Sequence, residues 1–229
     1  MYQELKEKVC RANIELKMHK MVIFSWGNVS GIDRKNGIVA IKPSGISYDE
    51  LTPEIIVLLD LEGNVVEGKM HPSSDTPTHL ELYRNFKELG GICHTHSTYA
   101  TMWAQACKEI PCFGTTHADN FYGAVPVTEV MTKQEIDRDY ELNTGKAIVR
   151  CLKGMDHTQK SAVLVANHGP FTWGGSPAKA VENAVVLEQV AEMALGTLTI
   201  NPDQCEILKT LLNKHFLRKH GKNAYYGQK

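Results

Sequence analysis

The 229-residue chain is long enough to bury a sizeable core as one globular domain, and it needs no disulfide staples to do so. Its 25 basic and 26 acidic residues nearly cancel, so it offers no electrostatic footprint for nucleic acid or an anionic membrane surface. The 42% hydrophobic content is ordinary for an α/β or α+β domain, and no apolar run approaches the ~18 residues of a membrane span.

The chain opens on Met1-Tyr2-Gln3-Glu4-Leu5-Lys6, charged and without the apolar segment of a secretory signal, so a cytoplasmic location is expected. Leu5, Val9, Ala12 and Leu16 share one helix face, which predicts a helix over 3–18. A short β run at 21–24 leads into Gly-rich turns and then a strand at 38–41. Residues 55–59 and 91–93 read as further strands, and 161–166 as the clearest buried one. Helices are expected at 76–88, with Pro77 near the start, and at 98–107. Thr132 with Glu135 three residues on makes a capping box that opens another. Ser176-Pro177 supplies an N-cap and first-turn proline for a long helix to about residue 195. A final helix from Asp203 turns Ile207, Leu208, Leu211, Leu212 and Phe216 inward. Cysteines 10, 93, 107, 112, 151 and 205 are scattered without a C-x-x-C pair, as free thiols in a reducing compartment would be. Strands come in clusters rather than in strict βα alternation, with no repeat or linker between them. The expected fold is one α/β domain over 1–229, with helices covering a mixed or antiparallel sheet.

The most specific local feature is His94-Thr95-His96, directly after the apolar Ile92-Cys93. On a strand, residues two apart point to one face, so both imidazoles can reach a single ion. Alone, the pattern also fits two polar residues at a strand exit. Strand 161–166 ends in a matching way, in Asn167-His168-Gly169. Two such strand ends side by side would give three nitrogen ligands and an open position, the plan of a catalytic rather than a structural zinc site.

Three stretches are rich in small donors: Trp26-Gly27-Asn28-Val29-Ser30-Gly31, Lys42-Pro43-Ser44-Gly45 and His71-Pro72-Ser73-Ser74-Asp75. Glycine lets a backbone approach a ligand closely, hydroxyls and N–H groups cradle an anion, and Lys42 adds a full charge. Each alone reads as a turn; three beside a metal motif point to a small phosphorylated ligand. Neither G-x-x-x-x-G-K-[ST] nor G-x-G-x-x-G is present, so a nucleotide P-loop and a dinucleotide fingerprint are excluded. Thr115-Thr116-His117-Ala118-Asp119 and the tail Ala224-Tyr225-Tyr226-Gly227-Gln228 complete the set. By themselves Asp119 reads as a loop carboxylate and the tail tyrosines as packing.

In this order, these blocks closely resemble the class II aldolase family, whose head domain also occurs in adducin, from the Leu5 helix to Gln228. The resemblance implies a central, largely antiparallel sheet flanked by helices, and a cyclic homotetramer with sites shared between subunits. It implies that His94, His96 and His168, matching the family's H-x-H and H-G-P histidines, hold Zn2+, with Asp75 joining them. Phosphate and substrate contacts map to Gly27, Asn28, Lys42, Ser44, Gly45, Ser73 and Ser74. Proton transfer falls to Asp119 and, from a neighbouring subunit, Tyr226, with His215, Thr116 and His117 behind the site or near that interface. The family's sugar-phosphate aldolases carry a glutamate acid/base where this chain has Asp75, one methylene shorter. That difference, the Thr116–Asp119 block and the Tyr-Tyr-Gly-Gln tail point to the epimerase branch. The implied reaction is metal-dependent inversion at one carbon of a phosphorylated ketopentose; an aldolase releasing free aldehyde is the alternative. Adducin-type heads are non-enzymatic and lack the metal histidines, which argues against an interaction module.

Overall fold

The computed structural model describes residues 2–226. Its strands are β1 (Asn28–Asp33), β2 (Ile38–Ile41), β3 (Val57–Asp60), β4 (Val65–Glu67), β5 (Gly91–His94), β6 (Ala162–Val165) and β7 (Gly169–Gly174). Among the described residues they form one sheet in the order β4-β3-β2-β1-β5-β7-β6, with every neighbouring pair antiparallel. The helices are α1 (Gln3–Met18), α2 (Thr76–Asn85), α3 (Thr98–Gln105), α4 (Thr115–Ala118), α5 (Lys133–Asp137), α6 (Tyr140–Cys151), α7 (Pro177–Ile200) and α8 (Lys209–His220). This is the α/β domain with a central antiparallel sheet that the sequence leads one to expect.

The period-2 alternation of the central strands decides which helix covers which face. Ile32, Ile92, Val163, Val165, Phe171 and Trp173 pack on Leu80 and Tyr83 of α2, on Ile148 of α6 and on Leu152 just after it. Val29 and Cys93 turn the other way, onto Ala12 and Leu16 of α1 and Ala180 and Ala184 of α7. Ala162 and Leu164 follow them, onto Ala100 and Trp103 of α3 and Leu187 and Val190 of α7. Each large apolar side chain so buried contributes ~1.5–3 kcal/mol, and both faces of the sheet are closed. Helix α7 starts where expected, with the Ser176 hydroxyl accepting the Lys179 N–H and Pro177 in the first turn.

Several elements differ from the sequence reading. Residues 21–24 form no strand: Ile23 and Phe24 are exposed and Phe24 has φ 54°, so this run turns instead of pairing. The Gly-rich stretch after it is β1, in the middle of the sheet, rather than a set of turns. Most of its buried polar groups are bonded, the Asn28 side-chain oxygen excepted. Asn13 of α1 accepts the Val29 N–H at 2.8 Å and donates to the Val29 carbonyl at 3.0 Å. The Ser30 Oγ lies 2.7 Å from His79 Nδ1 and 2.8 Å from the Tyr83 hydroxyl.

Strand β7 folds straight back from β6 and lies between β5 and β6, so the two histidine-bearing strand ends are not neighbours. The capping box at Thr132 is present, but its helix stops at Asp137; Asp139, at φ 48° and ψ 49°, redirects the chain before α6 begins. The last helix begins at Lys209 rather than Asp203. Leu212 and Phe216, four residues apart, share its buried face, whereas Leu211 lies a third of a turn away and is exposed. Leu208 precedes the helix proper and is exposed as well.

Candidate active site and metal centre

One row of residues crosses the centre of the sheet: Asn28 on β1 pairs with His94 on β5, and His94 pairs with Phe171 on β7. Alternation points the row at the face covered by α2 and α6, and both helices begin here, α2 after its N-cap Asp75 and α6 at Tyr140. The Phe171 ring stacks on His94 at 4.2 Å and fixes its plane. Gly27 lets the chain pass beside β5: its φ is 74°, and a Cβ there would sit 2.8 Å from the His94 carbonyl oxygen.

Past His94 the chain turns into α3, and Glu188 of α7 reaches across to receive the N–H groups of Tyr99 and Ala100 at 2.8 and 2.9 Å. A carboxylate from a distant helix thus caps α3 and pins the segment that carries His96. His168 stands in the β6–β7 turn, after Asn167 at φ 61°, a residue type that tolerates the left-handed region.

From two separate stretches of chain, one ligand atom each of His94, His96 and His168 come to lie within 4.8 Å of one another. The Nε2 atoms of His94 and His96 face each other at 3.1 Å. His94 Nδ1 is 3.0 Å from the Pro170 carbonyl, an acceptor only, so Nδ1 carries the proton and Nε2 the lone pair. Burial, reinforced by His94 and His96, pushes His168 down to about 3. One divalent cation could sit among the three ligand atoms in place of that histidine–histidine contact. Nitrogens ~2.0–2.1 Å from a tetrahedral zinc lie roughly 3.3 Å apart, so the His94–His96 spacing fits a divalent metal.

Beside the histidines opens a cavity of about 550 Å³. Gly27, Asn28, Lys42, Ser44, Gly45, Ser73, Ser74 and Asp75 all line it, as do all three histidines. Both hydrogens of the Asn28 amide are committed, to Ser73 Oγ at 3.0 Å and Asp75 Oδ2 at 2.7 Å. Burial works against the Asp75 carboxylate, but His94, His79 and the Asn28 hydrogen bond outweigh it and hold it below the usual carboxylate range. Asp75 is therefore a fixed anion here, beside the three-histidine cluster.

Lys42 is 1% exposed, and burial pushes its ammonium down to about 8. Its neighbours are neutral, the carbonyls of Ser25 and Pro43 at 3.3 and 3.4 Å and the Tyr48 ring at 4.9 Å, and among the described residues it has no ion pair. An anion beside Lys42 would offset a buried charge that no side chain balances among the described residues. An anion favours charged Lys42, so binding is linked to its proton. Once the titration of inorganic phosphate itself is subtracted, its affinity should be flat below pH 8 and fall ~tenfold per unit above it. Isothermal titration at pH 7, 8 and 9 checks this, and a Lys42→Leu protein should lose the slope and bind ~10–100-fold more weakly. Unchanged phosphate affinity in that variant would remove Lys42 from the anion site.

Asp119, Tyr226 and His215 do not line this cavity; they meet elsewhere on the same chain. The Asp119 carboxylate accepts from Arg218 at 2.7 and 3.1 Å and from His215 Nδ1 at 3.1 Å. The Tyr226 ring lies under the same guanidinium, at 4.6 Å. Burial raises the Asp119 carboxyl, but Arg218 and His215 bring it below its ordinary value. His117 is buried on the Gly123 carbonyl at 2.9 Å, and burial takes it down to about 4; with Thr116 it borders a separate, largely apolar hollow against α7. The cavity also contains Ser25, Trp26, Tyr140 and Glu141, which the sequence reading passes over. Tyr140 and Glu141 look like any polar helix start in sequence, and Trp26 was visible only as part of a Gly-rich block.

Solved structures share this fold. An L-fuculose 1-phosphate aldolase is 27% identical, with a TM-score of 0.79 over 93% of this chain and 94% of that one. YgbL from Klebsiella pneumoniae, a putative aldolase/epimerase/decarboxylase, is 24% identical, with a TM-score of 0.74 over 93% of this chain and 98% of that one. The L-fuculose 1-phosphate aldolase from Glaciozyma antarctica PI12 is 20% identical, with a TM-score of 0.78 over 97% of this chain and 84% of that one. With residues 7–195 matching its sequence pattern, the chain belongs to the Class II Aldolase and Adducin N-terminal domain family.

Proposed function

We propose that the chain converts L-ribulose 5-phosphate into D-xylulose 5-phosphate by breaking and remaking the C3–C4 bond, as a zinc-dependent homotetramer in the cytoplasm. One observation carries the reading. The carboxylate inside the cavity, Asp75, is tied to Asn28 and held anionic, while a second carboxylate and a phenol, Asp119 and Tyr226, are gathered on another patch. An aldolase needs a mobile acid/base beside the metal; Asp75 suits that task poorly. The 27% identity to an L-fuculose 1-phosphate aldolase supports a second reading, a sugar-phosphate aldolase that releases its aldehyde.

A divalent ion held by His94, His96 and His168 would act as a Lewis acid toward the negative charge that carbon–carbon cleavage leaves on substrate oxygens, worth several kcal/mol. Lys42, with Ser44, Gly45, Ser73 and Ser74, holds the phosphate at the other end of the cavity. The C4 hydrogen is not acidic, so inversion needs bond cleavage. The C4 hydroxyl gives its proton to a base, the C3–C4 electron pair moves into the three-carbon fragment, and glycolaldehyde phosphate remains anchored by its phosphate. Its aldehyde turns over, C3 adds to the opposite face, and the new C4 oxygen takes a proton from an acid on that side. Two proton carriers are required, one per face, and Asp119 and Tyr226 fill those places from a neighbouring chain.

The test is turnover of L-ribulose 5-phosphate by zinc-loaded protein in heavy water, without nicotinamide. D-Xylulose 5-phosphate should form with no deuterium at C4. Deuterium at C4 would exclude cleavage, and free glycolaldehyde phosphate in place of the epimer would favour the aldolase reading.

A further inference from the structure

A ligating imidazole is held in one tautomer and one orientation by the acceptor of its second ring N–H, and loss of that acceptor weakens metal binding ~10–100-fold. His94 has its acceptor in the Pro170 carbonyl at 3.0 Å. For His168 the group at Nδ1 is the Tyr140 hydroxyl, at 3.4 Å, with the rings 6.1 Å apart. Tyr140 owes its place to the left-handed Asp139, which ends one helical stretch and aims the first residue of α6 into the cavity. A phenol oxygen accepts one hydrogen bond and donates another.

We propose that Tyr140 is a positioning residue of the metal centre: its oxygen accepts the His168 Nδ1–H, which leaves Nε2 for the metal, and its own hydroxyl hydrogen stays free to donate into the cavity. This rests on the metal reading of the three histidines, but not on which sugar is turned over. Without the hydroxyl, His168 rocks between orientations, and its neutral ring populates the tautomer that points a hydrogen at the metal. The role also assigns the opening of α6 a purpose that its sequence hides: the turn at Asp139 couples helix placement to the third ligand.

Tyr140→Phe deletes one oxygen and keeps the ring that packs beside His168. The apo-protein's affinity for Zn2+, measured by competition with a chromophoric chelator, should fall ~10-fold, the lower end of the range because the contact is long. The visible bands of the Co2+-loaded protein should shift as the ligand field relaxes. An affinity within twofold of wild type and an unchanged Co2+ spectrum would overturn the proposal. So would a 15N-histidine spectrum of the wild-type zinc protein with His168 bound through Nδ1, a measurement that needs no variant. Wild-type protein that takes up no metal would sink both this role and the metal reading, and is seen before any substitution is made. Because the readout is metal affinity, failure of the L-ribulose 5-phosphate assignment leaves the comparison intact.

Discussion

Replacing His96 by asparagine is expected to strip the metal and lower turnover ~10³-fold or more, since a Lewis acid is worth several kcal/mol and ~1.4 kcal/mol is tenfold in rate. His96 is the ligand to change because it separates metal loss from loss of the fold. Its side chain is exposed on the cavity wall, and its hydrogen-bond partner is His94. His94, by contrast, is 1% exposed, stacks on Phe171 and bonds the Pro170 carbonyl, so its replacement would also remove a buried ring contact and a hydrogen bond, at a cost of about 1–3 kcal/mol. Metal analysis and thermal unfolding of the two variants should therefore part company. Both lose the ion, and only the His94 variant loses thermal stability measured in the metal-free state. A His96→Asn, His168→Ala protein that keeps stoichiometric metal would place the ion elsewhere.

The three-histidine cluster was legible because its chemistry is concentrated in few residues. H-x-H after an apolar run and a histidine after the clearest strand need no knowledge of topology to be paired. The route by which they meet was not legible: β7 lies between the two strands, and His168 arrives on a turn rather than a strand end. The misread β1 has the same physical origin. Asn28 and Ser30 are inside because Ser73, Asp75, His79 and Tyr83 meet them from α2 and the loop before it. A strand whose polar residues are satisfied from another element has no apolar alternation to find. Lys42 was visible as a charge beside a turn; that it is buried, with no ion pair among the described residues, depends on Ser25, Pro43 and Tyr48 around it. Asp119 and Tyr226, far apart in the chain, become one unit only through Arg218, which no motif singles out.

That shared arginine fixes the outcome of a subunit-mixing experiment. Asp119→Asn and Tyr226→Phe should each lower turnover ~10²–10⁴-fold, the worth of a positioned acid or base, while metal content stays at the wild-type level. Both groups rest on Arg218 of their own chain, and neither lines that chain's cavity. If the patch of one chain serves the cavity of the next, the two groups arrive together. Refolding the Asp119→Asn and Tyr226→Phe proteins together should then restore nothing, because every patch in the mixture carries a defect. Refolding Asp119→Asn with His96→Asn should restore activity: some sites combine the intact cavity of the first chain with the intact patch of the second. Had Asp119 acted in its own chain's cavity, with only Tyr226 reaching in from a neighbour, the first mixture would regain activity. If neither mixture recovers although mass measurement shows mixed oligomers, no site is shared between chains, and Asp119 and Tyr226 lose their place in proton transfer.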